Sequence, residues 1–417
     1  MLLFPVSLLF LSPAFAASAL KVDTVDGRKT CTVATLGDEQ NDVPNILSAF
    51  EECGSSGTVI FPEGENYWIA EKFTADIEDV EIEWRGTWTF SDDLDYWREN
   101  SYPISFQNHA AGFILKGKGI RINGYGTGGI NGNGDLWYTD EAGTTKKGRP
   151  IPFQLWNVSD VTVQNFAIIE PQLWAINIMN GTNLEFENIH VNATATKAPS
   201  GKNWVQNTDG FDTMDADNVR LKNFTYTGGD DCIAIKPRSY NIHIDGVVCN
   251  GGNGIAIGSV GQYLEDSSVE NVVMQNVKVP RTRFGMYIKT WIGEIAEQDG
   301  YESGGQPRGG GWGKVRNVTF SAVAVTNANR VGLIDQNSGD NGSFTGTSKM
   351  EISDIVFDQF TGTLASASNQ IGVQCSKVYP CYGIYFSDID VKSSSGSSPT
   401  GKCTYAKKNG IHGLSGC

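Results

Sequence analysis

Two short runs, Asn207-Thr208-Asp209-Gly210-Phe211-Asp212 and Gly228-Gly229-Asp230-Asp231-Cys232, hold the densest group of carboxylates in the 417-residue chain. Asp209 and Asp230 stand 21 residues apart, about one turn of a coiled strand repeat. On neighbouring strands ~4.8 Å apart such groups repel, so at least one carboxyl is held protonated where another is ionised. A neutral acid beside an ionised base can hydrolyse a glycosidic bond. Aspartate pairs in acidic chains are also common as solvated turns. Here flanking glycines let a ligand approach the backbone, and a disulfide at Cys232 would hold the rung, which favours a site.

The elements that must position these carboxylates are legible as a repeat. An Asn, Asp or Gly followed by alternating apolar residues recurs at Asp160, Asn183, Asn218, Asn241, Asn271, Asn317, Asp354 and Gly383. Each copy has the period of a strand and is too short for an amphipathic helix. Strands repeating every twenty-odd residues or more, with no helical pattern between them, stack as rungs of a parallel β-helix. An antiparallel sandwich would need turn signals every 8–12 residues. The expected fold is therefore all-β, a single-domain parallel β-helix over residues 20–417. Val43, Ile46, Leu47 and Phe50 recur at helical spacing and predict a short helix capping the amino-terminal end. Ser393–Ser398 and the last cysteines predict a stapled cap at the other end.

Composition narrows the function. With 40% apolar residues the chain can fill a large core, and a net charge of −15 excludes a general nucleic-acid binder, which needs a basic face. Residues 1–19 form an uncharged apolar run ending in small residues, which predicts a signal peptide and a secreted protein. No later stretch approaches the ~20 apolar residues of a membrane span. Eight cysteines in an exported chain favour disulfides. Sequence neighbours suggest Cys31–Cys53, Cys232–Cys249, Cys375–Cys381 and Cys403–Cys417, although spacing alone does not fix connectivity. Candidate glycosylation sequons lie at Asn157, Asn180, Asn192, Asn223, Asn317 and Asn341. The four histidines, at positions 109, 190, 243 and 412, share no motif, so no metal site and no cofactor is expected. His243 reads as a packed or solvent-facing rung residue.

The ordered segments NTDGFD, GGDDCIAIK, CNGGNGIAIGSVG and YIKTW resemble the four signature segments of the polygalacturonases, glycoside hydrolase family 28. The resemblance runs from about Cys31 to the tail and implies a right-handed, pectin-lyase-like β-helix that hydrolyses pectic galacturonosyl bonds with inversion. It implies Asp230 as general acid, with Asp209 and Asp231 activating water, across a gap of ~6.5–9.5 Å. Asn207, Lys236, Asn253, Tyr287 and Lys289 become expected substrate-binding residues. Two positions depart from the pattern: Asn253 stands where the family usually has histidine, and Tyr287 where it usually has arginine. Asn253 would then support the acid by hydrogen bonding alone, and Lys289 would pair with a uronate without a bidentate fork.

These departures are similar to those of the exo-acting fungal branch, galacturan or rhamnogalacturonan galacturonidases that release galacturonic acid from non-reducing ends. Loss of the arginine would suit a neutral rhamnose in the neighbouring subsite, unless Arg308 substitutes for it. Lys236 and Arg238, two apart on a strand, would form a local cationic platform for a uronate, or else be plain solvated residues on an outer rung. Tyr263, Tyr287 and Trp291 would stack on sugar faces or simply pack. Residues 293–313, glycine-rich and aperiodic, would wall off one end of the cleft or form a passive loop. The expected partner is pectic polysaccharide, with no nucleic acid, no membrane and a monomeric state. Endo-acting hydrolysis, a lyase and a non-catalytic pectin-binding solenoid remain the alternatives.

Overall fold

Left-handed turns set the pitch of the chain. In the computed structural model, which describes residues 20–340, 342–366 and 371–417, Asp160, Asn183, Asn218, Asn241, Asn271, Asn317 and Asp354 have φ between 54° and 61°, and Gly383 has φ 66°. Asparagine and aspartate tolerate this conformation better than other residues with a Cβ, so they mark the corners where one strand bends into the next. The strands pair in parallel and wind a right-handed β-helix. All the predicted repeats stand in one register. Val161, Leu184, Val219, Ile242, Val272, Val318, Ile355 and Ile384 form a continuous buried column through the core.

The corners are tied from rung to rung. The amide of Asn183 donates to Asp160 at 3.0 Å, Asn218 to Asn183 at 2.8 Å, Asn271 to Asn241 at 3.1 Å and Asn317 to Asn271 at 2.8 Å. A second ladder runs through Asn165, Asn188 and Asn223. Of the sequons, Asn223 and Asn317 are exposed on these corners, Asn157 and Asn180 are exposed on a further corner where they pair with each other, and Asn192 is half-buried. Asn341 and residues 1–19 lie outside the described residues.

The amino-terminal end carries an antiparallel hairpin, Leu20–Val25 and Arg28–Val33, followed by helix α1, Val43–Cys53. The helix buries Val43, Ile46, Ala49, Phe50 and Cys53. Leu47, predicted on its apolar face, instead points outward at 38% exposure, and Ala49 takes the buried place. All four cysteine pairs are those suggested by sequence neighbours, Cys31–Cys53, Cys232–Cys249, Cys375–Cys381 and Cys403–Cys417. The last one ties the short rung Gly401–Thr404 to Cys417, beyond the final strand Ile411–His412. No described helix is long and apolar enough to cross a membrane.

Three insertions break the simple coil. Helix α2, Leu94–Asn100, leads into a small sheet at residues 102–111, and helix α3, Gly134–Glu141, precedes residues 150–151, which join that sheet. Residues 293–311 leave the coil after the strand Phe284–Trp291. The helices α2 and α3 carry no signal that separates them from loops in the repeat pattern.

Candidate active site

One face of the coil presents an outward row in register: Gln154, Asn177, Asp212, Ala234, Ala256, Tyr287 and Leu333. Their strand neighbours Ile176, Phe211, Ile233, Ile255 and Met286 point into the core, as the two-residue period requires. Asp209 and Asp231 lie just before this row on successive rungs, joined by the Gly210 N–H to the Asp231 carbonyl at 2.9 Å. The Tyr226 hydroxyl locks the two runs together, donating to the Thr208 carbonyl at 3.0 Å and accepting the Asp230 N–H at 3.1 Å. Oxygens of Asp209, Asp230 and Asp231 all lie within 4.8 Å of one another. These closest oxygens are nearer than the ~6.5–9.5 Å carboxyl separation that suits inversion, since Asp209 and Asp231 stand on adjacent rungs and Asp230 is the chain neighbour of Asp231.

The carboxylates have different surroundings. Half-buried Asp230 accepts the Asn207 N–H at 2.8 Å, the Asn253 amide at 2.9 Å and the Asp231 N–H at 2.9 Å. Those donors and the Lys289 charge favour its ionised form, but burial and the neighbouring Asp231 outweigh them and push its pKa up to about 6. Asp231, 3% exposed, receives the Tyr287 hydroxyl. Tyr287 is itself 4% exposed, so it grips a carboxylate rather than offering a face to a sugar.

Asp209 and Asp212 share one ammonium. Lys236 Nζ lies 3.5 Å from Asp209 and 3.6 Å from Asp212, and 4.1 Å from the centroid of the Trp174 ring. Burial holds Asp209 well above the usual carboxylate range, with Asp212 adding repulsion, and burial raises Asp212 to about 7. Burial works against the charge on Lys236, yet Asp212 and Asp209 hold its pKa up to about 12. Lys236, 3% exposed and paired with two carboxylates, is therefore not part of a cationic platform for a uronate. The strand ends at Ile235, and Arg238 takes φ 59°, which turns its guanidinium away to Asp215 and Glu265. Lys289 is half-buried beside the Tyr287 ring and faces the cleft. Trp291, 7% exposed, packs under the Arg308 guanidinium, and the Tyr263 hydroxyl accepts the Gln107 N–H. His243 is exposed on its rung.

The insertions meet across the cleft on the amino-terminal side of the aspartates. Asn108 donates to the Tyr301 carbonyl at 2.8 Å, the Tyr301 hydroxyl pairs with His109 at 3.2 Å, and Asn207 donates to Glu302 at 3.2 Å. Gln107 reaches Gln262 and Tyr263 on the opposite flank. Residues 293–311 thus form a bridge, not a passive loop. Behind it, the fully buried Arg149–Glu141 pair at 3.3 Å pins α3 under the wall. His109, 4% exposed and edge-on to Trp174, was not distinguishable by motif; burial holds its imidazole neutral. Around it His109 Nε2, both amide atoms of Gln172, Asn177 Oδ1, Gln262 Nε2 and Arg308 Nε have no hydrogen-bond partner among the described residues. In the other direction the cleft stays open, through a cavity of about 120 Å³ lined by Asn253, Tyr287 and Lys289 among others.

Comparison with known proteins agrees with this geometry. The sequence model for Glycosyl hydrolases family 28 matches residues 59–413. An Aspergillus niger protein named "Putative galacturan 1,4-alpha-galacturonidase C" is 56% identical over 99% of this chain and 99% of its own. A Cochliobolus carbonum protein named "Exopolygalacturonase" is 35% identical, over 95% of this chain and 88% of its own. The crystal structure of an endo-xylogalacturonan hydrolase from Aspergillus tubingensis superposes with a TM-score of 0.79 at 27% identity, over 93% of this chain and 100% of that one.

Proposed function

Because the chain belongs to glycosyl hydrolase family 28 and is a glycoside hydrolase, we propose that it removes single galacturonate units from the non-reducing ends of pectic galacturonan, with inversion. The observation that carries this reading is the closed end. A cleft bridged at Tyr301 and Glu302 beside the aspartates admits a chain terminus, and a polymer cannot thread through it. The terminal unit would sit against the bridge formed by Asn108, Tyr301 and Glu302, next to Asp209 and Asp230.

In this reading Asp230, kept protonated by burial and by Asp231, gives its proton to the glycosidic oxygen. Asn207 and Asn253 aim its carboxyl. Asp231, held by Tyr287, takes the proton of the attacking water, and Asp209, paired with Lys236, stands beside it. Lys289 faces the carboxylate of the leaving unit. Residues 1–19 act as an export leader, in keeping with the four disulfides, and residues 20–417 work as one catalytic solenoid.

The test is proton NMR of trigalacturonate during hydrolysis. The reading expects equal amounts of galacturonate and digalacturonate, with the β-anomer of galacturonate appearing first. The α-anomer first would mean retention through a covalent carboxylate ester, which the short spacing of the aspartates would then explain. An unsaturated, ultraviolet-absorbing product would identify a lyase, and binding without turnover would leave a non-catalytic solenoid.

A further inference from the structure

Beyond Asn253 the cleft floor drops into a second cavity, of about 450 Å³. It is lined, among the described residues, by Arg283, Phe284, Arg330, Leu333, Asp335 and Gln374. Arg283, Phe284, Leu333 and Asp335 also line the smaller cavity that reaches Tyr287, Lys289 and Asn253. The two therefore form one trough leading away from Asp230. Arg283 is exposed and Arg330 half-buried, and their guanidinium carbons lie 5.0 and 6.0 Å from the centroid of the Phe284 ring.

Neither guanidinium makes a hydrogen bond or an ion pair among the described residues. Other arginines of this acidic chain do pair with carboxylates: Arg238 with Asp215, Arg308 with Glu302, Arg316 with Glu270. Asp335 faces the same cavity without closing a pair, because one of its oxygens accepts the Asn337 N–H at 3.0 Å and it feels Arg330 and Lys289 only at longer range. With Lys289 the trough carries three cations against one carboxylate, inside a protein of net charge −15. A local field of that sign attracts an anion. Planar guanidiniums suit a carboxylate better than a point charge does.

We infer that Arg283 and Arg330 bind the carboxylate of a second uronate on the leaving side of the scissile bond, one unit beyond the uronate that Lys289 faces. The inference rests on the exo reading, since the closed end fixes which way the chain runs. Arg330 stands directly opposite Phe284 on the next rung, ~4.8 Å farther along, about the length of one sugar unit. The buried Phe284 ring lies within 6.0 Å of both guanidinium carbons and helps hold them at the rim of the trough.

Digalacturonate places one unit on the leaving side and trigalacturonate places two, so the ratio of their kcat/KM values reads the pocket. For the unaltered protein the trimer should be favoured roughly tenfold or more, as one charge-assisted contact warrants. The double variant Arg283→Gln/Arg330→Gln should bring the ratio close to one through KM, with kcat on the trimer kept. The double Arg→Lys variant should retain part of the preference. A ratio that the Gln variants leave unchanged, or no preference for the trimer at the outset, overturns the inference. If no galacturonate is released from either oligomer, the proposed activity falls and the pocket is still decided by calorimetry. The trimer must then bind tighter than the dimer, and the Gln variants must abolish that difference, or the pocket is not the site.

Discussion

The asparagine corners and the aspartate face are built on the same rungs and obey opposite rules. At the corners each amide finds a partner one rung away, Asn183 on Asp160, Asn218 on Asn183, Asn223 on Asn188. On the aspartate face some buried polar atoms have no hydrogen-bond partner among the described residues: Asp209 Oδ1, both oxygens of Asp212, Asn177 Oδ1 and His109 Nε2. The contrast separates groups that hold the coil from groups held ready by it. Unpaired buried polar atoms are unfavourable, so those on the aspartate face are the ones that water or a bound sugar would satisfy.

The sharpest way to break the comparison is at the acid. Asp230→Asn should lower kcat by ~10²–10⁴-fold, the range for losing a general acid, with little loss of thermal stability. Next comes Lys236→Met, which leaves Asp209 and Asp212 buried without a cation. Breaking a buried pair by removing one partner costs about 3–5 kcal/mol, so the urea midpoint should fall clearly, and kcat with it.

Titration extends the comparison. The carboxyls of Asp209, Asp212 and Asp230 titrate at higher pH in the folded protein than in the unfolded chain. Between pH 4 and 7 the folded state thus binds more protons, and stability should fall as pH rises through that window. Asp212→Asn should flatten the fall and raise the melting temperature at pH 7. In activity, kcat should decline above pH about 6 as Asp230 loses its proton. The smallest effect belongs to the corners: Asn218→Gly keeps the left-handed turn, removes one ladder bond, and should lower stability by ~1 kcal/mol with kcat unchanged.

The corners were also the legible part of the sequence. A polar residue followed by alternating apolar ones is a local signal, and the register column from Val161 to Ile384 follows from it directly. The aspartates were legible as types and spacing, and Asp212 lies inside the same run. Their environments were not. Lys236 reads as a surface cation until the strand is seen to stop at Ile235, and Leu47 reads as core until Ala49 is seen in its place. The closed end depends on contacts such as Asn108 to Tyr301, 193 residues apart, between insertions with no periodicity to predict where they fold.

The dead-end cleft is the centre of this account, and the chain lengths released early from long polygalacturonate test it most directly. Anion-exchange chromatography should show free galacturonic acid as the sole early product while the polymer stays long. A ladder of oligomers with a rapid fall in polymer length would show that a chain passes through, and would contradict the bridge at Tyr301 and Glu302 as the end of the cleft.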